Sequence, residues 1–281
     1  MKIGFVTDTT SDIPAHLAEQ HGIEIVPVLV NIGGKSYADG LEISREEFYA
    51  RLPGLRQLPT TSSPSVGSFQ QRYEKLLKAG ADSVLSIHPP NALSGIFNSA
   101  WLAAREFGPR VTVLDSGQLS LGLGYQVILA AEAAARGAVR EDVLNLVESV
   151  RKRVQLTALL ETIEYVRRSG RVSWAAAMIS GAFRLQPLIE LRYGIVHRLG
   201  QARTRLQGIK QLVEMLNSWG PLERLAVLHT NAESAAWQLW EHVRPMVAVP
   251  PLLVNVTTAI GTHVGPNGLG FVAVPVDSYS R

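Results

Sequence analysis

The chain has 281 residues, of which 46% are hydrophobic and 18% charged. That is enough for one large domain or two ordinary ones around a substantial core, and it excludes a disordered or fibrous chain. The net charge is +3 and there is no cysteine, so disulfides, thiolate catalysis and thiolate zinc sites are all excluded.

No stretch reaches the roughly 18 uninterrupted apolar residues of a membrane span. The opening Met1-Lys-Ile-Gly-Phe-Val-Thr-Asp8 meets an acid too early for a signal peptide, so a cytoplasmic location is expected. Excess base gathers in Arg151 to Arg171 and Arg192 to Lys210. Such a face suits phosphates, an acidic protein or a membrane surface, and charge alone does not choose among them.

In chain order, Lys2 to Val6 is a short apolar strand, and Pro14 opens a helix that ends before Gly22. Ile23 to Val30 is nearly continuous in apolar residues, as a strand buried on both faces should be. Gly33-Gly34 and Tyr37 to Gly40 are turns, and Ser44-x-x-Glu47 is a capping box for a helix ending near Leu52. Pro53 to Ser68, rich in hydroxyl residues around Pro64, reads as a loop.

A helix from about Phe69 to Lys78 precedes a strand at Ser83 to Ile87. The strand breaks at Pro89-Pro90, and a helical pattern begins at Ser94-Gly95 and runs through Phe107. In an open parallel sheet such a junction is where ligands bind, because free helix N–H groups favour anions. Ser94 in that setting is either an ordinary helix cap or a ligand contact. Arg110 to Leu114 is the next strand, followed by helices over about Ser120 to Arg136 and Arg140 to Arg153.

The first half, residues 1–153, therefore reads as a parallel-sheet α/β domain. Residues 154–281 have a different rhythm. Val154 to Leu160 is a strand, Thr162 to Arg168 a helix, and Leu185 to Leu191 pairs with Gly194 to Leu199 as a hairpin. A helix spans Leu206 to Trp219, and strands fall at Arg224 to Leu228, Leu252 to Val256 and Gly270 to Val274. Six strands with a hairpin predict a mixed sheet covered by helices.

There is no Gly-x-Ser-x-Gly elbow, P-loop or Gly-x-Gly-x-x-Gly, and the seven histidines show no metal-binding spacing. Gly122-Leu-Gly124 falls in a helical pattern and reads as close packing. Three features remain: the hydroxyl run Thr60 to Ser65, Ser94-Gly95, and the glycine-rich Gly261 to Gly270 around His263, whose backbone must turn sharply or admit a close approach.

Taken together, Thr7-Asp-Thr-Thr-Ser-Asp12, Thr61 to Ser65, Leu93-Ser-Gly95, Asp115-Ser116, Glu164-Tyr165 through Gly170-Arg171, Arg203-Thr-Arg205 and Gly261-Thr-His-Val-Gly-Pro266 resemble, in order and spacing, the DegV-type fatty-acid-binding proteins. The resemblance covers nearly the whole chain. It implies two α/β domains with one fatty acid in a tunnel between them. Its head-group residues would be Thr61, Ser62, Ser94 and Gly95, with His263 acting through hydrogen bonds. It further implies a carrier without catalysis, cofactor or metal, which presents its acyl chain to a fatty acid kinase and takes the acyl phosphate towards phospholipid synthesis.

Arg171, Arg203 and Arg205 would face the kinase; the alternative for each is a solvated charge. An acyltransferase and transient membrane contact fit the same role, and nucleic acid does not. Departures from the family pattern are His88-Pro-Pro-Asn91, Ile96 for Thr, Ser63 for Gln and Asn267 for Gly.

Residue chemistry agrees in one respect. A sixteen-carbon tail at about 0.8 kcal/mol per methylene supplies on the order of 10 kcal/mol before immobilisation costs. None of the three head-group motifs contains Arg or Lys, which leaves a carboxylate held by hydroxyls and free to react. Two rival readings share the pocket: a serine hydrolase using Ser94 and His263, and a lipid-sensing regulatory module.

Overall fold

The computed structural model describes residues 2–176 and 185–277, so 177–184 and 278–281 of the expected second domain lie outside the described residues. In chain order the first half comprises β1 (Ile3–Asp8), α1 (Ala15–Gln20), β2 (Ile23–Val26), β3 (Leu29–Ile32), β4 (Lys35–Ala38), α2 (Arg45–Arg51) and β5 (Thr60–Ser62). It continues with α3 (Val66–Lys78), β6 (Ser83–His88), α4 (Ile96–Ala104), β7 (Val111–Asp115), α5 (Leu121–Ala135) and α6 (Arg140–Arg153). β2, β1, β6 and β7 form a parallel sheet in that order, as the alternation of strands and helices predicts.

The apolar run Ile23 to Val30 is two strands, not one. Pro27 has no N–H to give a ladder, and the chain leaves the parallel sheet there. Val28 N–H turns to Thr9 Oγ1 at 3.2 Å, and β3 starts a separate antiparallel sheet of order β4, β3, β5. The run Pro53 to Ser68, expected as a loop, contains the third of these strands: Leu29, Val30 and Asn31 pair with Ser62, Thr61 and Thr60. The helix expected from Ser94-Gly95 to Phe107 is α4 plus a tighter turn over Arg105–Arg110, bent at Gly108.

The second half holds β8 (Gln155–Leu159), α7 (Glu164–Ser169), α8 (Ser173–Ala176), β9 (Gln186–Arg192), β10 (Ile195–Ala202), α9 (Arg205–Ser218) and β11 (Leu222–His229). Then come α10 (Glu233–Val243), β12 (Leu252–Asn255), α11 (Thr258–Val264) and β13 (Leu269–Pro275). The six expected strands form one mixed sheet, ordered β10, β9, β8, β13, β11, β12, parallel only between β11 and β12. Among the described residues no helix is long and apolar enough to cross a membrane.

The two larger sheets meet through α5 and α6. α5 is buried almost all round, as a helix apolar on every face must be. Its Leu123 and Val127, with Val143 and Val147 of α6, join Phe5 and Leu85 of the parallel sheet to Leu156, Leu228 and Val272 of the mixed sheet. α9 and α10 cover the opposite face of the mixed sheet, against Val227 and Phe271.

Close packing explains Gly124. A Cβ there would stand 2.6 Å from the carbonyl oxygen of Ser11 in the buried turn after β1. That atom is backbone and has nowhere to go. Gly124→Val is expected to destabilise the protein by about 3 kcal/mol or more, read as the midpoint of urea unfolding; an unchanged midpoint would refute the packing.

Candidate functional site

Between the mixed sheet and the first half lies a cavity of about 430 Å³, within the range of small-molecule sites. Leu156, Ala158, Ile189, Leu191, Leu228 and Gly270 of the mixed sheet make one wall. Leu93, Ile96 and Leu119 face them from the first half, and Val166 and Val172 close a side.

One group of polar side chains comes together in the lining. β5 pairs in register with β3, so its side chains alternate: Thr61 turns inward, while Thr60 and Ser62 turn to Asn31 on the other face. Thr61 Oγ1 lies 2.9 Å from His263 Nε2. Ser62 borders the cavity, but its hydroxyl accepts from Asn31 Nδ2 at 2.9 Å. A Cβ on Gly95 would stand 3.1 Å from Ser63 Oγ, which brings the Ser94-Gly95 junction against the end of β5.

Ser94 is placed by the loop before it. Asp115, at the end of β7, accepts from Asn91 N–H at 2.9 Å and Gly117 N–H at 2.8 Å, and Ser94 N–H reaches back to Pro90 O at 3.0 Å. Ser94 Oγ accepts from Ile96 N–H at 3.3 Å, a long bond at the mouth of α4 that leaves its own O–H to donate.

His263 lies on α11, a short helix, and both the close approach and the sharp turn expected of the glycine-rich segment occur around it. The chain turns after it, at Gly265 with φ of +78°. Tertiary contacts hold α11. A Cβ on Gly261 would overlap the Tyr49 ring, Tyr49 O–H donates to Val256 O at 3.0 Å, and Asp39 accepts from the hydroxyls of Thr257 and Thr258. Asp12 adds a further bond from the first half, accepting from Thr257 N–H at 2.8 Å.

Burial, and then the charge of Arg171, push His263 down to about 4. The ring is therefore neutral near pH 7. Arg171 lines the same cavity, exposed, with Nη1 donating to Ser169 O at 2.8 Å. These side chains thus have an arginine near them, brought by a segment far in sequence from the hydroxyl motifs, which themselves carry no Arg or Lys.

Arg203 and Arg205 do not line the cavity. Arg203 is exposed at the start of α9, and Arg205 is tied to Asn267 O at 2.7 Å and Glu161 at 3.5 Å. His88, a departure noted in the sequence, is wholly buried: Nδ1 lies 2.7 Å from Asp8 Oδ2 and Nε2 lies 2.6 Å from Ser86 Oγ. Thr10, within the Thr7 to Asp12 motif but not expected as a head-group residue, and Ser120, outside every motif named, also line the cavity. Ser120, at φ +51°, donates to Asp12 at 2.6 Å; a strained non-glycine at a cavity wall is visible only in the fold. Among the described residues no cluster of His, Asp or Glu suits a metal.

A largely apolar cavity between two α/β domains, with hydroxyls and a neutral imidazole in its lining, has the chemistry of a site for an apolar molecule with a polar head. The chain belongs to the DegV family: the model described as "Uncharacterised protein, DegV family" matches residues 2–276. It is 33% identical over 274 residues to a DegV domain-containing protein of Streptomyces coelicolor, covering 96% of this chain and 97% of that one. It is 32% identical over 277 residues to the protein DegV of Bacillus subtilis, covering 96% and 98%.

Among solved structures, a DegV family protein from Thermus thermophilus described by its fatty acid binding superposes with a TM-score of 0.91 at 33% identity, covering 98% of this chain and 100% of that one. DegV from Bacillus subtilis, described as a fatty acid binding protein, gives 0.87 at 30% identity, covering 98% and 100%.

Proposed function

We infer that this protein binds one long-chain fatty acid in the cavity between its domains and presents the carboxylate to a fatty acid kinase. The observation that carries the reading is the cavity itself, largely apolar, with Thr61, Ser94 and His263 in its lining. The tail supplies affinity by leaving water.

The head group needs donors, because a buried carboxylate without them is strongly disfavoured. With His263 neutral and its proton on Nε2, the ring donates to Thr61 Oγ1, and Thr61 O–H is freed to donate to the carboxylate. Ser94 O–H is the second donor. Arg171 beside them adds favourable charge without clamping both oxygens, so one oxygen stays available to attack a phosphoryl group.

The relatives described as fatty-acid-binding support the ligand class. The kinase role rests on the family resemblance and on the exposed cations Arg171 and Arg203, with Arg205 tied down beside them. Acyl phosphate formed on the protein would then pass towards phospholipid synthesis, with an acyltransferase or a membrane as the receiving side. A hydrolase would need His263 between a nucleophile and an acid. Among the described residues no hydrogen bond joins Ser94 to His263, and the hydrogen-bond partner of the ring is Thr61.

The test is to load the protein with palmitate, add a bacterial fatty acid kinase and Mg-ATP, and trap acyl phosphate with hydroxylamine. Hydroxamate in proportion to loaded protein is expected; none would remove the carrier reading and favour the regulatory one. In the same assay Arg203→Glu is expected to slow acyl phosphate formation about tenfold while leaving palmitate affinity unchanged. An unchanged rate would return Arg203 to the solvated surface.

A further inference from the structure

The cavity face of the mixed sheet can be followed rung by rung from the pairing of its strands. Ile189, Ala158, Gly270 and Leu228 stand opposite one another on β9, β8, β13 and β11, and residues paired in this way share a face. The large side chains are on the outer strands of this rung, and its two smallest residues are on the inner strands.

One rung deeper the inner strands are no longer small. Leu191, Leu156, Val272 and Ala226 are paired, with Leu156 and Val272 now on the inner strands. Leu156 still lines the cavity, whereas Val272 is fully buried in the core built on α5 and α6. The sheet therefore has a notch over Ala158 and Gly270 that ends against Leu156 and Val272.

Ala158 retains accessible surface in the middle of a six-stranded sheet, as a residue under a cavity must. Gly270 is confined to glycine, since a Cβ there would stand 2.6 Å from the Thr157 carbonyl oxygen. Of the two notch residues, only position 158 is free to vary in size.

The geometry points to Ala158 as the residue that sets how long an acyl chain the cavity accepts, with Leu156 as the stop below it. The inference rests on the fatty-acid reading above. A larger side chain at 158 fills the notch and removes room needed by the end of a long tail, while a short tail never reaches it. Trimming Leu156 lengthens the notch.

The experiment compares binding of saturated fatty acids from about twelve to twenty carbons to the full chain, stripped of lipid, and to Ala158→Leu, Ala158→Phe and Leu156→Ala. In the Ala158 variants affinity for the longest acids is expected to fall on the order of tenfold relative to the shortest, the scale of overpacking in a filled cavity. Leu156→Ala is expected to move the preference to longer chains.

A folded Ala158→Leu with the wild-type length profile, or with equal loss at every length, overturns the inference. Should neither Ala158 variant fold, Leu156→Ala decides it: a shift to longer chains supports the notch and an unchanged profile refutes it. Wild-type protein that takes up no fatty acid of any length would instead refute the fatty-acid reading itself.

Discussion

Combining Thr61→Val with Ser94→Ala is expected to weaken palmitate binding by about 100-fold or more while leaving thermal unfolding of the empty protein near the wild-type value. A hydrogen bond to a charged group contributes about 1.5–3 kcal/mol, and the double variant removes two donors from the carboxylate. Thr61→Val keeps the shape of the side chain but ends its contact with His263 Nε2. Ser94→Ala removes a hydroxyl whose only hydrogen bond among the described residues is the 3.3 Å contact from Ile96 N–H. Calorimetric titration with palmitate reads the loss. Wild-type affinity in the folded double variant would show that the carboxylate is held elsewhere.

The second large effect concerns acid. Asp12 is buried at the domain interface in a left-handed backbone conformation, 3.2 Å from Arg45 and bonded by Ser120 and Thr257. Burial raises it to about 6 in spite of these partners, helped by the nearby charge of Asp39. Its value in an unfolded chain is about 3.9. The folded protein therefore holds this proton to higher pH, a contribution to stability that is present below about pH 4 and lost as pH rises through 6.

His263 has the opposite sign. It is lowered to about 4 against an unfolded value near 6.5, so its contribution is present above pH 6.5 and is lost as pH falls through 4. At 1.36 kcal/mol per pH unit the Asp12 contribution reaches about 3 kcal/mol, and that of His263 is smaller, because its ring keeps some accessible surface. The windows overlap, so in the wild type the slopes oppose each other.

Asp12→Asn should leave the His263 slope uncovered: unfolding midpoints that fall more steeply than wild type between pH 6.5 and 4.5. His263→Gln should do the reverse and gain stability relative to wild type over the same range. Urea unfolding at several pH values measures both. Slopes parallel to wild type in both variants would contradict the assigned titrations.

These two residues also mark what could be read from the sequence. The apolar runs of β1, β6 and β7 and the alternation of the second half disclose the two-sheet architecture, because burial of a strand is written in its own residues. β5 is three hydroxyl residues long and has no such pattern. It is a strand only because Pro27 diverts the chain into β3, which supplies a partner.

α11 is hidden for a similar reason. Its seven residues include Gly261 and two threonines, and it is held by Tyr49, Asp39 and Asp12 from the other half of the chain. Thr61, Ser94 and His263 could be picked out by motif, yet nothing local says that Thr61 and His263 touch or that Arg171 stands beside them. His88 is the reverse case, conspicuous in sequence and in the fold a core histidine paired with Asp8. Long-range pairing decides each of these, and a linear pattern does not carry it.

The most direct test of the central claim is mass spectrometry of the purified full chain, first native and then denatured with organic extraction. One fatty acid per chain, lost on denaturation and recovered in the organic phase, is the expected result. An empty protein that stays at its bare mass after incubation with palmitate and oleate would contradict it.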